Sequence, residues 1–63
     1  MKYAKLFTMV KDEVDIVEDW ILYHGTIFGF ENLYIIDNYS NDGTFQILEK
    51  YKINKGIKLF REK

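Results

Sequence analysis

A short run of large apolar residues in the middle of the chain, Leu33–Ile36 (LYII), constrains the fold more than any other feature. The run has no polar residue to mark a solvent-facing side, which is typical of a strand buried on both faces in a parallel sheet. It ends at Asp37 and Asn38, and a polar turn leads from there to Gly43. Polar residues that follow such a strand lie at the edge of the sheet where open α/β folds bind ligands.

The sequence on either side predicts two further strands and two helices. Residues 3–10 mix apolar and β-branched residues and indicate a first strand, and residues 57–60 (IKLF) indicate a third. A first helix is expected over residues 13–27 and a second from Gly43 to about Gly56, where glycine favours a helix end. The apolar row of the first helix follows helical spacing and contains Val17, Trp20, Ile21, His24 and Phe28.

The order β-α-β-α-β restricts the topology. Right-handed crossovers that run in one direction place both helices on the same face of the sheet. The other face of the central strand is then bare, and both edge strands are open to pairing with another chain. We therefore expect residues 1–63 to form a single partial domain, half of a doubly wound, Rossmann-like α/β fold with a three-stranded parallel sheet.

Composition excludes several other ways of stabilising so small a chain. The 63 residues include no cysteine and one histidine, so neither a disulfide framework nor a zinc site is expected. The apolar stretches are too short and too interrupted by charge for a signal peptide or a membrane span. The sequence thus favours a soluble, cytoplasmic protein with no membrane partner.

Charge is segregated along the chain. All charged residues from Asp12 to Asp42 are acidic, whereas the chain from Gly43 onward is mainly basic. Basic residues interspersed with aromatic ones can bind nucleic acid. Lysines near the end of a helix also complement its dipole, and this second interpretation is the one we adopt, so no nucleic-acid partner is expected.

Two acidic turns emerge at the same edge of the expected sheet. One follows the first strand and the other follows the second, so a ribose hydroxyl, the N–H edge of a base or Mg²⁺ could bind between them. The alternative is that Asp12 and Asp42 cap the two helices and that Asp37 and Asn38 form a turn. For Asp37 we favour ligand binding, because a helix cap is already available further along; for Glu13 both readings stay open.

Other residues give no catalytic pattern. His24 lies on the apolar row of the first helix, which favours a hydrogen-bonded core histidine over a catalytic base, and Trp20 is likewise expected in the core. Neither G-x-G-x-x-G nor G-x-x-x-x-G-K-[ST] occurs, and no serine has a plausible base. These observations disfavour a dehydrogenase, a P-loop enzyme or a serine hydrolase.

An ordered set of short motifs, from about residue 7 to residue 59, resembles the opening of family 2-like glycosyltransferases of the GT-A fold. The resembling pattern is K-N-E, E-W, H, G and then DN-x-S-x-D-G-T. In this chain it consists of Lys11-Asp12-Glu13, Asp19-Trp20, His24, Gly29, Asp37-Asn38, Ser40 and Asp42-Gly43-Thr44.

The resemblance implies a nucleotide-sugar donor site, with Glu13 near the nucleoside, Asp37 on the base or ribose, and Lys11 and Asn38 beside them. Asp12 stands where the family more often has asparagine. The family's D-x-D metal motif and catalytic base lie further along than this chain extends, and no D-x-D triplet occurs here. The resemblance therefore implies a donor-binding segment with no catalytic residue and no metal ligand, inactive alone, from a family whose full-length members use Mg²⁺ or Mn²⁺.

Two other functions are compatible with the residues. The open sheet edges suggest a small non-catalytic interaction module that self-associates, in place of a segment that pairs with a missing C-terminal half. A receiver-like phosphoacceptor could place Asp12, Glu13 and Asp37 around Mg²⁺, although its acceptor acid would come one strand too early.

Overall fold

A computed structural model describes residues 5–62. Residues 3 and 4 of the expected first strand lie outside that range. Within it the chain forms three strands and two helices in the expected order, which confirms the β-α-β-α-β arrangement. A 3-10 turn over Phe30–Asn32 joins the first helix to the second strand, and the elements are β1 (Leu6–Val10), α1 (Val17–Phe28), β2 (Leu33–Asp37), α2 (Thr44–Lys55) and β3 (Lys58–Arg61).

The three strands form one parallel sheet in the order β1-β2-β3. Leu6 of β1 lies opposite Leu33, and Lys58 of β3 lies opposite Tyr34. The apolar run is therefore the central strand, and β1 and β3 are its two edges. The carboxyl ends of all three strands meet at one edge of the sheet, as the parallel arrangement requires.

Both helices lie on one face of the sheet, where the core forms. Leu33 and Ile35 of β2 point toward the helices and are fully buried. The helices and the start of the third strand supply the remaining buried apolar side chains, which are Val17, Ile21, Leu48, Tyr51 and Ile57. Alternation along β2 thus directs every second residue into a single core.

No helix or strand of the described residues covers the opposite face of the sheet, although the Lys5 ammonium lies over the Tyr34 ring, 5.6 Å from its centroid. Phe7 and Met9 of β1 and Phe60 of β3 point to this side and are 66%, 60% and 49% exposed. Tyr34 and Ile36 lie between them in β2 and are only partly buried. The rings of Phe7 and Tyr34 stack with their centroids 4.8 Å apart. The expectation that the second face of β2 is not covered by a helix is confirmed within residues 5–62.

The expected start of the first helix is wrong. α1 begins at Val17 rather than at residue 13, and the Glu13 carbonyl accepts the backbone N–H groups of Ile16 and Val17 in a preceding turn. Asp12 is not its cap, because the Asp12 carboxylate binds the backbone N–H of Asn41. The Asp12 carboxylate is thus bound by the turn after β2 and does not cap the first helix.

The ends of the helices follow the prediction. Gly29 caps the end of α1 and Gly56 caps the end of α2, with φ of 90° and 87°, values that only glycine adopts without strain. No helix in the part of the chain that the structure describes is long and apolar enough to cross a membrane.

One polar contact joins the two helices. The Tyr51 hydroxyl donates to Glu18 Oε2 at 2.5 Å, and Lys50 Nζ lies 3.3 Å from the same oxygen. The hydrogen bond from Tyr51, followed by the bond and charge of Lys50, holds the pKa of Glu18 below its ordinary value. The carboxylate form of Glu18 therefore stabilises the packing of α1 against α2.

Replacing Glu18 with glutamine should reduce the acid sensitivity of the fold. A carboxyl whose pKa is lowered by folding contributes stability above its unfolded value, 4.5, and that contribution disappears as the pH falls through its lower folded value. Melting temperatures measured by circular dichroism at neutral pH and in acid should differ less for Glu18→Gln than for Glu49→Gln, which removes an exposed carboxylate from α2. Equal acid sensitivity in the two variants would contradict this role.

Candidate functional site

The turns after β1 and β2 lie side by side at the carboxyl edge of the sheet and are joined by hydrogen bonds. The backbone N–H of Asp12 donates to Ser40 Oγ at 2.8 Å, and that of Glu13 donates to Thr44 Oγ1 at 2.9 Å. In the other direction, the backbone N–H of Asn41 donates to Asp12 Oδ1 at 2.7 Å. Side chains from each turn, and from Thr44 at the start of α2, therefore accept hydrogen bonds from the backbone N–H groups of the other turn.

Each of these turns contains a residue in the left-handed region. Asp12 has a φ of 52° and Tyr39 a φ of 51°. Residues other than glycine take this conformation at a cost of about 1–2 kcal/mol. The bonds between the turns offset that cost.

Asp37 is fully buried, and its carboxylate is bound by protein groups. The backbone N–H of Ser40 donates to Oδ2 at 3.0 Å, and the Ser40 hydroxyl donates to Oδ1 at 2.6 Å. Arg61 Nε lies 3.3 Å from Oδ2. The carboxylate has no exposed surface, and its three partners come from the turn after β2 and from β3, so the structure assigns Asp37 a role in holding the edge together. Its contact with a nucleotide stays a prediction.

Arg61, which directly follows the strand expected over residues 57–60, is a residue of this edge that the sequence analysis did not single out. Its guanidinium donates to the Ser40 carbonyl at 3.3 Å and lies over the rings of Tyr39 and Phe45, 4.8 Å and 4.1 Å from their centroids. A pairing of Arg61 with Asp37 could have been predicted from the parallel sheet, because β2 and β3 end at the same edge and these two residues are register partners. An arginine at that position is well placed to neutralise a buried carboxylate.

Lys11 and Asn38 lie together at the same edge. Lys11 Nζ donates to the carbonyl oxygens of Asn38 and Tyr39, each at 3.1 Å. The Lys11 side chain is 50% exposed and lies 4.0 Å from the Asp12 carboxylate. The two carbonyls thus hold a solvent-accessible positive charge beside the first residues after β2.

Glu13 lines a pocket between β1 and α1. The pocket has a volume of about 230 Å³. Within residues 5–62, the Glu13 carboxylate has no hydrogen-bond or ion-pair partner. None of Lys11, Asp37 and Asn38 lines this pocket, so the predicted site is divided between a polar network and a separate recess. The lining residues are Thr8, Met9, Val10, Glu13, Ile16, Val17 and Trp20.

The remaining candidate residues have structural partners. Asp42 Oδ1 accepts the backbone N–H of Thr44 at 3.0 Å and its hydroxyl at 2.5 Å, so Asp42 binds the first residue of α2. The expectation that Asp42 is the N-cap is wrong, because Gly43 occupies that position and no side chain makes a capping bond there. The Thr44 hydroxyl is the main cause of the lowered pKa of Asp42. His24 Nδ1 lies 2.9 Å from the Trp20 carbonyl, and the centroids of the two rings lie 4.3 Å apart, so the hydrogen bond expected for His24 is present. His24 and Trp20 were both expected in the core, but each is only partly buried, and Trp20 packs against the core from outside it.

The acidic residues of this edge do not form a metal site by themselves. No group of three histidine, cysteine, aspartate or glutamate residues within 5–62 could hold an ion. Asp37, one of the three acids of the receiver-like alternative, is bound to Arg61. The described residues therefore fit neither the divalent cation of the resembling family nor a phosphoacceptor centre.

Comparisons of this chain with protein-family models, with curated proteins and with solved structures find no match.

Replacing Asp37 with asparagine should destabilise the fold without changing the size of the side chain. The amide places an N–H group against donors from Ser40 and Arg61, and we expect the free energy of unfolding to fall by about 2–3 kcal/mol. Urea denaturation measures the change, with Asp15→Asn, at an exposed position, as the control. A difference below about 0.5 kcal/mol between the two variants would contradict the structural role of Asp37.

Proposed function

We propose that this chain forms the nucleotide-sugar-binding segment of a glycosyltransferase. The observation that carries the proposal is the Glu13 carboxylate, which has no partner within residues 5–62 and lines an otherwise largely apolar pocket at the carboxyl end of β1. Glu13 also belongs to the motif set that resembles the start of family 2-like glycosyltransferases. An acceptor group beside an apolar wall is the combination that a nucleoside needs, since its hydroxyl and N–H groups donate and its base has apolar faces.

The size of the pocket limits which part of the donor it can hold. Pockets that enclose a whole small ligand occupy about 300–1,000 Å³, and this one has about 230 Å³. It can therefore take the base or the ribose, with Glu13 accepting a hydrogen bond and Ile16 and Trp20 contacting the apolar surface. The diphosphate and sugar would extend out of the pocket along the carboxyl edge.

Lys11 supplies positive charge for the diphosphate in this proposal. Its ammonium group is held by the carbonyls of Asn38 and Tyr39 and stays half exposed. A lysine acts on phosphate as a flexible point charge, so it can contact the ligand without the fixed geometry that arginine needs. Asp37 supports the site by holding the turn that presents Asn38.

The segment has a binding role and no catalytic one in this proposal. Sugar transfer needs a base for the acceptor hydroxyl. His24 is bound to the Trp20 carbonyl and belongs to the packing of α1. We therefore expect the 63-residue chain to bind a nucleotide without turnover, and the groups that perform the transfer to come from outside it.

The fluorescence of Trp20 offers a direct test, because Trp20 is the only tryptophan and lines the pocket. Titration with uridine, guanosine, adenosine and cytidine diphosphates should change the emission for at least one of them. Glu13→Gln should weaken binding of that nucleotide about tenfold, which corresponds to the loss of one charge-assisted hydrogen bond. Glu49→Gln on α2 is the matched control and should bind like the unchanged chain.

Either of two results would contradict this function. One is an emission that none of the four diphosphates changes, together with no heat of binding by calorimetry. The other is equal affinity of Glu13→Gln and Glu49→Gln for the nucleotide that binds, since that would place the ligand away from the pocket.

A further inference from the structure

β1 lies at one edge of the sheet, so half of its backbone N–H and C=O groups face no neighbouring strand. The Val10 carbonyl accepts the backbone N–H of Asn38 at 2.8 Å, so the main-chain groups of Val10 face β2. Successive residues of a strand direct their main-chain groups alternately to one side and the other within the sheet. The N–H and C=O of Met9 therefore face the free edge of β1.

Met9 lines the pocket that contains Glu13, and it does so with its main chain. Its side chain points to the sheet face opposite the helices and is 60% exposed. The Met9 sulfur lies 4.0 Å from Asn38 Nδ2, on the β2 side and away from the free edge. The main chain is therefore the part of Met9 that reaches a recess between β1 and α1. Outside the sheet, no backbone hydrogen bond to either group occurs within residues 5–62.

The pocket thus offers three hydrogen-bonding groups in a definite order. Along the direction of β1, the Met9 N–H comes first, the Met9 C=O second and the Glu13 carboxylate third. The N–H donates, whereas the carbonyl and the carboxylate only accept. The Thr8 hydroxyl also lines the pocket, but it can donate or accept and so selects neither. The order of the three groups is donor, acceptor, acceptor.

Guanine is the one common base whose edge complements this order. It presents the O6 acceptor, the N1–H donor and the 2-amino donor side by side. Uracil has a carbonyl in place of that amino group and would oppose the Glu13 carboxylate with a second acceptor. Adenine and cytosine each oppose at least one group of the pocket with a group of the same kind, in either orientation of the base. None of these three bases can satisfy all three groups.

The remaining lining residues favour a base over a ribose. Ile16, Val17 and Trp20, at the start of α1, form an apolar wall that suits the flat face of a base. A ribose carries hydroxyl groups around its ring and would leave them against this wall without partners. The Trp20 ring is also supported by His24, whose ring centroid lies 4.3 Å from that of Trp20.

We propose that the pocket binds guanine and that the donor is a guanosine diphosphate sugar. The Met9 N–H donates to O6, the Met9 C=O accepts from N1–H, and the Glu13 carboxylate accepts from the 2-amino group. This inference rests on the nucleotide-binding function proposed above and names the base that the function leaves open.

Titration of Trp20 fluorescence with five nucleotides tests the inference. Guanosine diphosphate should bind at least tenfold more tightly than uridine, adenosine and cytidine diphosphates, because each of those bases leaves a polar group of the pocket unsatisfied. Inosine diphosphate, whose base is guanine without the 2-amino group, should bind about tenfold more weakly than guanosine diphosphate, since it lacks the bond to Glu13. Neither comparison needs a substitution in the chain.

Glu13→Leu tests the role of the carboxylate. This variant removes the acceptor but keeps the backbone bonds of residue 13 to Thr44, Ile16 and Val17. The preference for guanosine over inosine diphosphate should fall from about tenfold to about onefold. Glu49→Leu, at an exposed position on α2, is the matched control and should keep the preference.

Two proline variants test the role of the main chain. Proline has no N–H, and an edge strand tolerates it where the N–H faces away from the sheet. Met9→Pro should therefore stay folded by circular dichroism and bind guanosine diphosphate about tenfold more weakly. Phe7→Pro is the matched control, because Phe7 faces the same free edge and does not line the pocket, and it should bind like the unchanged chain. The comparison of guanosine with inosine diphosphate stands whether or not these variants fold.

The outcomes separate this inference from the function on which it rests. If all four common diphosphates bind within about threefold of one another, the pocket does not read the base, and the inference is overturned while nucleotide binding stands. Equal affinity for guanosine and inosine diphosphates overturns it in the same way, and so does equal weakening by Met9→Pro and Phe7→Pro. If no diphosphate binds, both the function and the inference are wrong.

Discussion

The bonds of the buried Asp37 carboxylate hold the carboxyl edge of this fold together. Arg61 ties it to β3, and Ser40 ties it to the turn after β2. The Ser40 hydroxyl in turn accepts from the backbone of Asp12, which brings in the turn after β1. A buried charge of this kind is stable only when its partners are in place, so the three strand ends and the two turns depend on one another.

Most of the fold could be predicted from the sequence, because it depends on local features and on the order of the strands and helices. The apolar run of β2 predicted a central parallel strand, the glycines at 29 and 56 predicted helix ends, and one-directional crossovers predicted a bare face. The start of α1 did not follow, because the capping capacity of Asp12 is used by Asn41, about thirty residues away in sequence. Arg61 was missed for the same reason, since its partner is set by the register between strands and not by neighbouring residues.

The acidic residues near this edge divide into two groups by their partners. Asp37, Asp42 and Asp12 each bind backbone or side-chain donors of the protein, so their charge is largely committed to the fold. Glu13 follows Asp12 directly, yet it lines the recess between β1 and α1, and its carboxylate has no partner within residues 5–62. Sequence position alone could not separate these roles, because the motif places all four at the ends of strands or the starts of helices.

The paired left-handed residues, Asp12 and Tyr39, have a consequence for how this edge moves. Each turn holds a strained backbone in place by bonds to its neighbour, so neither gains much by loosening alone. Once the hydrogen bonds between the two turns break, the backbones at Asp12 and Tyr39 can both leave the left-handed region. The release of this strain favours full separation of the turns over partial separation. We therefore expect the two turns to open cooperatively, between one closed and one open state.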